Sequence, residues 1–235
     1  MSVQQGETTI ASAPPVEAAA GFRDSGRLTR WLVILLGINI ALAATSAASG
    51  LVDVKLWMDF QAGIAFTPEQ SELHELRQQI VASLYAVETI VLIVVFCFWI
   101  YRANYNARRL GAADMKFTPG WAVGWYFIPI FFLWKPYQAM KEIWQASANP
   151  ARWQDEPRGS ILPPWWTFFL LSNALSIIAT SFSTSGGATA PEMITSGSLQ
   201  VFGDVIETMS SLTALILVRQ IYRMQMAHRL SAAFK

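Results

Sequence analysis

Four apolar runs, each close to the length that crosses a hydrocarbon core, constrain this chain more than any other feature. They extend from Trp31 to about Ser49, Ile80 to Tyr101, Leu162 to Phe182 and Val201 to Val218. A soluble amphipathic bundle would space its apolar residues at helical intervals, whereas here they are gathered in blocks. With 53% hydrophobic and 14% charged residues, the chain is well short of the roughly one-quarter charged content of soluble domains. The fold class that follows is all-α: a multi-pass transmembrane helical bundle of about four spans. A net charge of +1 gives no basic face for nucleic acid. The one cysteine, Cys97, cannot form an intramolecular disulfide and is read as a small packing residue. His74 and His228 lie apart with no ligand-spaced neighbour, so neither a metal nor a cofactor is expected.

Lysine and arginine set the orientation, because short cytoplasmic loops retain positive charge. Arg23, Arg27 and Arg30 precede the first run. Arg102, Arg108, Arg109, Lys116, Lys135, Lys141, Arg152 and Arg158 lie between the second and third, and Arg219, Arg223, Arg229 and Lys235 follow the fourth. The stretch from Gly50 to Gln79 is acidic, and Thr184 to Gln200 has no Lys or Arg. Those two loops are therefore expected outside and both termini in the cytoplasm, which places the chain in an inner (plasma) membrane. Residues 1–27 read as a disordered cytoplasmic tail, 28–230 as one membrane domain and 231–235 as a cytoplasmic end. A cleaved signal ending near Ala41-Leu42-Ala43 is the competing reading of the first run, against which stands the long polar stretch before it.

Two helix starts are legible. Thr67-Pro68-Glu69-Gln70 combines an N-cap threonine, proline at N1 and glutamine at N3, so the second helix should begin outside the bilayer. Pro163-Pro164 should open the third span. Between the second and third spans lies an aromatic block, about 117–146, whose apolar core from Trp121 to Trp134 is short for a span. Pro129 lacks the amide that would bond the Trp125 carbonyl, which predicts a break. A fifth span here would send the basic carboxyl end outside. A re-entrant or interfacial element is expected instead, followed by a surface helix with Tyr137, Met140 and Trp144 toward lipid and Lys141 toward headgroups.

The run Thr118-Pro-Gly-Trp-Ala-Val-Gly-Trp-Tyr-Phe-Ile-Pro-Ile130 and Trp134-Lys-Pro-Tyr-Gln-Ala139, preceded by Trp99-Ile-Tyr-Arg-Ala-Asn-Tyr-Asn106 and Leu110-Gly111, closely resembles the bacterial membrane family catalogued as domain of unknown function 4328. The resemblance covers most of the chain after the tail and implies a bacterial multi-pass protein, without an activity or binding residues to carry over. Phe132 stands where a polar residue is expected before Leu-Trp-Lys-Pro. The two halves also show a weak repeat: Trp31 and Asn39 match Trp165 and Asn173, while Glu88-Thr89 and Ile100-Tyr101-Arg102 match Glu207-Thr208 and Ile221-Tyr222-Arg223. Hairpins that both return to one side would be parallel repeats; chance similarity of apolar segments is the alternative.

Glu88 and Glu207 fall inside the second and fourth runs, where a carboxyl group has to be protonated, paired or hydrated. Asn39, Asn173, Ser172, Thr89 and Thr208 offer it hydrogen bonds, which makes these residues either a proton- or cation-responsive site or interhelical polar glue. Asp204 reads as interfacial. Arg102, Arg108, Arg109, Arg223 and Arg229 form a candidate basic collar for lipid headgroups. Gly120, Trp121, Gly124, Trp125, Pro129, Trp134, Lys135 and Pro136 form a candidate broken-helix motif. No phosphate loop, nucleophile elbow, metalloprotease helix or dinucleotide fingerprint is present. Three classes remain: a structural or regulatory membrane component, which needs the fewest further features, a small transporter or channel using Glu88 and Glu207, and an intramembrane enzyme. Membrane lipids are the expected partners, with a homo-oligomer or protein partner left open. A polar cavity joining the two glutamates would favour transport, and a dry bundle the first class.

Overall fold

The computed structural model describes residues 21–65, 67–183 and 189–233, and these contain helices and 3₁₀ turns but no strand. Four helices are long and apolar enough to cross a membrane: α1 (Gly26–Gln61), α2 (Pro68–Arg109), α5 (Leu162–Ser183) and α6 (Ala190–Ala233). Between α2 and α5 lie the short α3 (Pro119–Gly124) and the amphipathic α4 (Lys135–Ala148). Each apolar run expected to span falls inside one of the four long helices. The 42 residues of α2 rise about 63 Å at 1.5 Å per residue, roughly twice a hydrocarbon core, so α2 projects well beyond it.

Helix starts follow the local chemistry. The Thr67 hydroxyl accepts from the Gln70 amide at 3.2 Å while the Gln70 side chain accepts from the Thr67 amide at 3.0 Å, with Pro68 at the first helical position. Pro163 and Pro164 lie in the first turn of α5, where their missing amides have no intrahelical partner to lose. The stretch from Gly50 to Gln79 is less of a loop than its charge suggested, because α1 continues to Gln61 and α2 starts at Pro68. In the same way Ala190 to Gln200 is already helix α6, and the expected loop at 184–188 lies outside the described residues. Helix α1 runs unbroken through Ala41–Ala43.

The outer face of the bundle is apolar, and its interior mixes apolar side chains with a set of buried polar ones. Ile34, Ile38, Val87, Ile90, Phe98, Ile177 and Phe202 are exposed, whereas Asn39, Glu88, Ser172, Asp204 and Ser211 are buried. Helices α1 and α6 pack along most of their length, as do α5 and α6, and α2 packs on α1. A Cβ on Gly50 would come 2.7 Å from a Val201 methyl, and one on Gly197 would come 2.8 Å from a Val54 methyl, so these glycines set the close approach of α1 and α6. Contacts between ends show α1 antiparallel to both α2 and α6: Trp99 Nε1 donates to Thr29 Oγ1 at 3.0 Å, and Ser211 Oγ donates to Asn39 Oδ1 at 2.7 Å. One end of the bundle thus collects the start of α1, the ends of α2 and α6, and the α3–α4 region. We call it the basic end.

The basic end departs from the sequence reading in three ways. Residues 21–27, assigned to a disordered tail, are held down: Asn106 accepts from the Arg23 amide at 3.0 Å and donates to the Arg23 carbonyl at 2.8 Å. The rest of that tail, 1–20, lies outside the described residues. Second, α4 does not turn Met140 toward lipid. Met140, Ala139, Ile143 and Ala146 are buried against the protein's own helices, and α4 is tied to α6 because Gln225 Nε2 donates to Ser147 Oγ at 2.9 Å and the His228 ring donates to the Ala148 carbonyl at 3.0 Å. Tyr137 and Trp144 are half-buried at the rim of that core. An amphipathic pattern alone does not say whether lipid or protein covers its apolar face. Third, Glu142 on α4 is buried and accepts the amide of Phe117 at 3.0 Å and that of Lys116, which fixes the turn leading into α3. Burial pushes the Glu142 carboxyl up from its ordinary range, against the pull of those two amides and of the Arg108 and Lys116 charges.

The break in the aromatic block comes where proline predicted it. Helix α3 passes into a 3₁₀ turn at Trp125–Phe127, the chain is extended at Ile128, and a second 3₁₀ turn spans Phe131–Leu133 before α4. The amide of Phe131 donates to the Pro129 carbonyl at 2.8 Å around Ile130, whose φ of 67° and ψ of −55° describe a tight γ-turn.

Candidate functional site

A polar relay crosses all four long helices. Asn39 on α1 is buried and uses both ends of its amide: Nδ2 donates to Glu88 Oε2 on α2 at 3.0 Å, and Oδ1 accepts from Ser211 on α6. The Ser211 hydroxyl lies beside Glu207, and the other side of that carboxyl accepts from Ser172 Oγ on α5 at 2.8 Å. Glu88 and Glu207, which sequence placed in separate spans, are thereby connected through two intervening side chains. One turn from Glu207 toward the opposite end, Asp204 is only 4% exposed; Gln200 donates to its Oδ1 at 2.9 Å and Ser46 lies alongside. Asp204 Oδ2 and Glu88 Oε1 are buried without a hydrogen-bond partner.

All of these groups except Glu88 border a cavity of about 990 Å³. Its back wall is α1 and α6, and its sides are α2 and α5, which do not pack along each other among the described residues. Asn39, Tyr85, Thr89, Asn173, Asp204 and Glu207 line its middle. Its floor, toward the basic end, is aromatic: Phe96 meets Tyr126 edge to face at 6.4 Å and Trp165 at 6.5 Å, and Phe132 meets Phe169 at 6.5 Å. Tyr126 belongs to the broken block, and its hydroxyl has no partner. Burial raises the Tyr126 phenol far above its ordinary range, so it stays protonated at any physiological pH. Phe132, the residue that stood in place of a polar one, adds to this apolar floor. Toward the opposite end the cavity reaches Asp53, which is buried against His74 at 2.8 Å and against Arg77 and Gln78. The lining contains no Lys or Arg.

The arrangement sorts the sequence candidates. Asn39, Glu88 and Glu207 come together. Thr89 and Asn173 line the cavity but join no carboxyl group; Asn173 donates to its own helix at the Phe169 carbonyl, 2.7 Å away. Thr208 donates to the Asp204 carbonyl at 3.0 Å. Residues matched in the weak repeat have different surroundings: Trp31 is 62% exposed and Trp165 is buried, and Asn39 donates to Glu88 whereas Glu207 takes its bond from Ser172 rather than Asn173. Asp204, read as interfacial, is a buried member of the site. Ser211 was missed altogether, and its only sequence signal is its position one helical turn after Glu207.

Nor do the arginines form one collar. Arg108 donates to the carbonyls of Met115 at 2.8 Å and Phe117 at 2.9 Å, so it holds the protein's own turn. Arg102 donates to the Asp24 carbonyl at 3.2 Å, Arg109 stacks on Tyr105, and Arg229 lies 3.7 Å from the Asp24 carboxylate. Arg223 is exposed. In the broken-helix motif, the tilted rings of Trp121 and Trp125 meet at 5.0 Å and Pro136 is buried in the first turn of α4. Gly120 and Gly124 do not serve close helix approach, since a Cβ on Gly120 would meet nothing within 4 Å and one on Gly124 only the edge of Trp121 at 3.4 Å.

The match that decides the family spans residues 62–223, from before α2 into the last third of α6, and includes the broken block and most of the cavity lining. The chain belongs to the DUF4328 family, a domain of unknown function. No curated protein and no solved structure matches it. In this DUF4328 protein α1 up to Gln61 precedes the matched region, yet Asn39 on α1 is the residue that joins the two glutamates. If the relay forms as described, Asn39→Ala and Ser211→Ala should each destabilise the protein by about 1–3 kcal/mol, by stranding a buried partner. A double-mutant cycle followed by unfolding in detergent should return a coupling on the order of 1 kcal/mol. Additive losses would mean that the two side chains do not interact.

Proposed function

We propose that this protein is a multi-pass component of a bacterial inner membrane that binds a cationic amphiphile, taken up from the lipid phase through the gap between α2 and α5. The observation that carries this is Asp204: a buried carboxyl group, with one oxygen unpartnered, on the wall of a cavity that has Glu207 beside it and no Lys or Arg in its lining. An uncompensated carboxylate in a low-dielectric site strongly favours a positive partner. The aromatic floor suits the apolar body of such a ligand. For an enzyme, the imidazoles are badly placed, since His74 bonds to Asp53 and His228 to the Ala148 carbonyl rather than to a hydroxyl or thiol.

The same reading puts both termini and the α3–α4 region in the cytoplasm, on the strength of the Lys and Arg gathered at the basic end. In a Cys97→Ala background, cysteines introduced near Asp59 should be labelled from outside intact cells and one at Ala148 should not. External labelling at position 148 would reverse the orientation.

Binding tests the ligand class. Purified full-length protein should bind a lipophilic cation such as tetraphenylphosphonium in equilibrium dialysis. Asp204→Asn with Glu207→Gln should weaken it at least about tenfold, the scale of one lost charge-assisted contact. A neutral analogue of equal size should bind weakly and be indifferent to both changes. Equal binding of the charged and neutral probes would contradict the proposal.

A further inference from the structure

A second pocket, of about 860 Å³, opens at the basic end and shares no lining residue with the first. Lys116, Lys135 and Lys141 line it, together with Phe117, Trp121, Trp125 and Trp153, and with Gln138, Gln145 and Gln154. Glu142 is the one acidic residue in the lining, and its oxygens are already taken by the Lys116 and Phe117 amides. None of the three lysines forms a salt bridge among the described residues. Lys135 is partly held by aromatic faces, with Nζ 5.6 Å from the Trp125 ring centre and 5.8 Å from that of Phe117. Three cations therefore converge on a pocket that supplies no free counter-charge.

One wall of this pocket leads away along an aromatic chain. Trp121 meets Trp125 at 5.0 Å, Trp125 meets Phe131 at 5.3 Å, and Phe131 meets Trp134 at 5.5 Å, each pair with its rings tilted. That chain ends in an apolar lip, where Ile130 is 70% and Leu133 48% exposed; the neighbouring Phe127, 64% exposed, also lines the central cavity. At its tip a branched residue sits in left-handed backbone, which is costly for isoleucine and turns its side chain outward instead of into the bundle. Water would disfavour each of these side chains, whereas acyl chains accept them. A lysine pocket at one end and an apolar lip at the other reproduce the layering of a lipid monolayer, with phosphate above hydrocarbon.

We propose that the Lys116–Lys135–Lys141 pocket binds the phosphate headgroup of an anionic phospholipid, with that lipid's acyl chains lying over Trp121, Phe131 and Trp134. This site is independent of the ligand in the central cavity. Charge complementarity selects an anionic lipid over a zwitterionic one, because a choline headgroup would bring a fourth cation to the three lysines. The attached lip distinguishes it from a site for a soluble anion, since free phosphate would leave the lip uncovered.

Native mass spectrometry of the full chain, released from mixed micelles with equal phosphatidylglycerol and phosphatidylcholine, tests this. Retention should favour phosphatidylglycerol at least about tenfold, the least expected of several cations acting together. Lys116→Gln, Lys135→Gln and Lys141→Gln combined should abolish the preference. The exposed triple Arg27→Gln, Arg30→Gln and Arg223→Gln, equal in charge, should leave it intact. Quenching of tryptophan fluorescence should be stronger with brominated phosphatidylglycerol than with brominated phosphatidylcholine, and the difference should vanish in the lysine triple. Should that triple misfold, Lys135→Gln alone should reduce the preference and Lys135→Arg restore it. Equal retention of both lipids, or an equal loss in the arginine triple, would overturn the proposal. Displacement of the retained lipid by millimolar inorganic phosphate would assign the pocket to a soluble anion instead.

Discussion

A polar group inside hydrocarbon must find its partners within the protein, and Asn39 is where this chain meets that demand. Its amide lies on the central helix of the bundle and serves two neighbours in opposite senses, donating to Glu88 on α2 and accepting from Ser211 on α6. No apolar residue, and no side chain that only donates or only accepts, links a carboxyl acceptor to a hydroxyl donor in that way. Because the alternative for each group is a stranded charge or dipole, the relay fixes the rotation of three helices about their axes. Ser172 adds the fourth. Helix packing in a bilayer gains little from hydrophobic burial, so such contacts, together with close small-residue approaches, determine the arrangement.

The packing that results is lopsided, and the cavity follows from it. Gly50 and Gly197 let α1 and α6 approach until a Cβ would collide with the facing valine, which makes these two helices and α5 a tight unit. Helix α2 is attached to that unit through α1, and the side it would offer α5 carries Tyr85 and Thr89 toward open space, with contact regained only where Phe96 meets Trp165 at the floor. The broken block then closes the basic end of the gap with Tyr126 and Phe132. A continuous helix over Trp121–Trp134 could not do this. The break at Pro129 is what turns the block back on itself, seats aromatic residues under the cavity and leaves α4 free to pack on α6.

Sequence was most informative where one residue type has one physical use. The apolar runs gave the spans, the Thr67–Gln70 capping box gave the start of α2, and Pro129 gave the break. Rare carboxyl groups within apolar runs drew attention to Glu88 and Glu207, the two acids that the relay links. Matters were less legible where the answer depends on rotation about a helix. Asn173 and Ser172 are adjacent, but 100° apart around α5, and it is Ser172 that reaches Glu207. Asp204 lies near a run boundary, so nothing in the local pattern separates a headgroup-level carboxylate from one buried against Gln200 and Ser46. Met140 and Arg108 show the same ambiguity: an amphipathic helix and a basic residue look alike whether lipid or the protein's own backbone is their partner. That α2 and α5 meet at the Phe96–Trp165 edge but do not pack along each other leaves no mark on the sequence at all.

The central claim, that an acidic cavity with no cation in its lining lies between α2 and α5, can be tested through the chain's one cysteine, because Cys97 lines that cavity. The decisive measurement is the rate at which the native thiol reacts with a permanently cationic methanethiosulfonate, relative to an anionic one of similar size, in purified full-length protein. Steering by Asp204 and Glu207 predicts that the cationic reagent is faster by about tenfold or more at low salt, beyond any difference in the reagents' intrinsic rates. Asp204→Asn with Glu207→Gln should remove that advantage. Equal intrinsic-corrected rates for the two reagents, or a cationic advantage that survives the double substitution, would contradict the account.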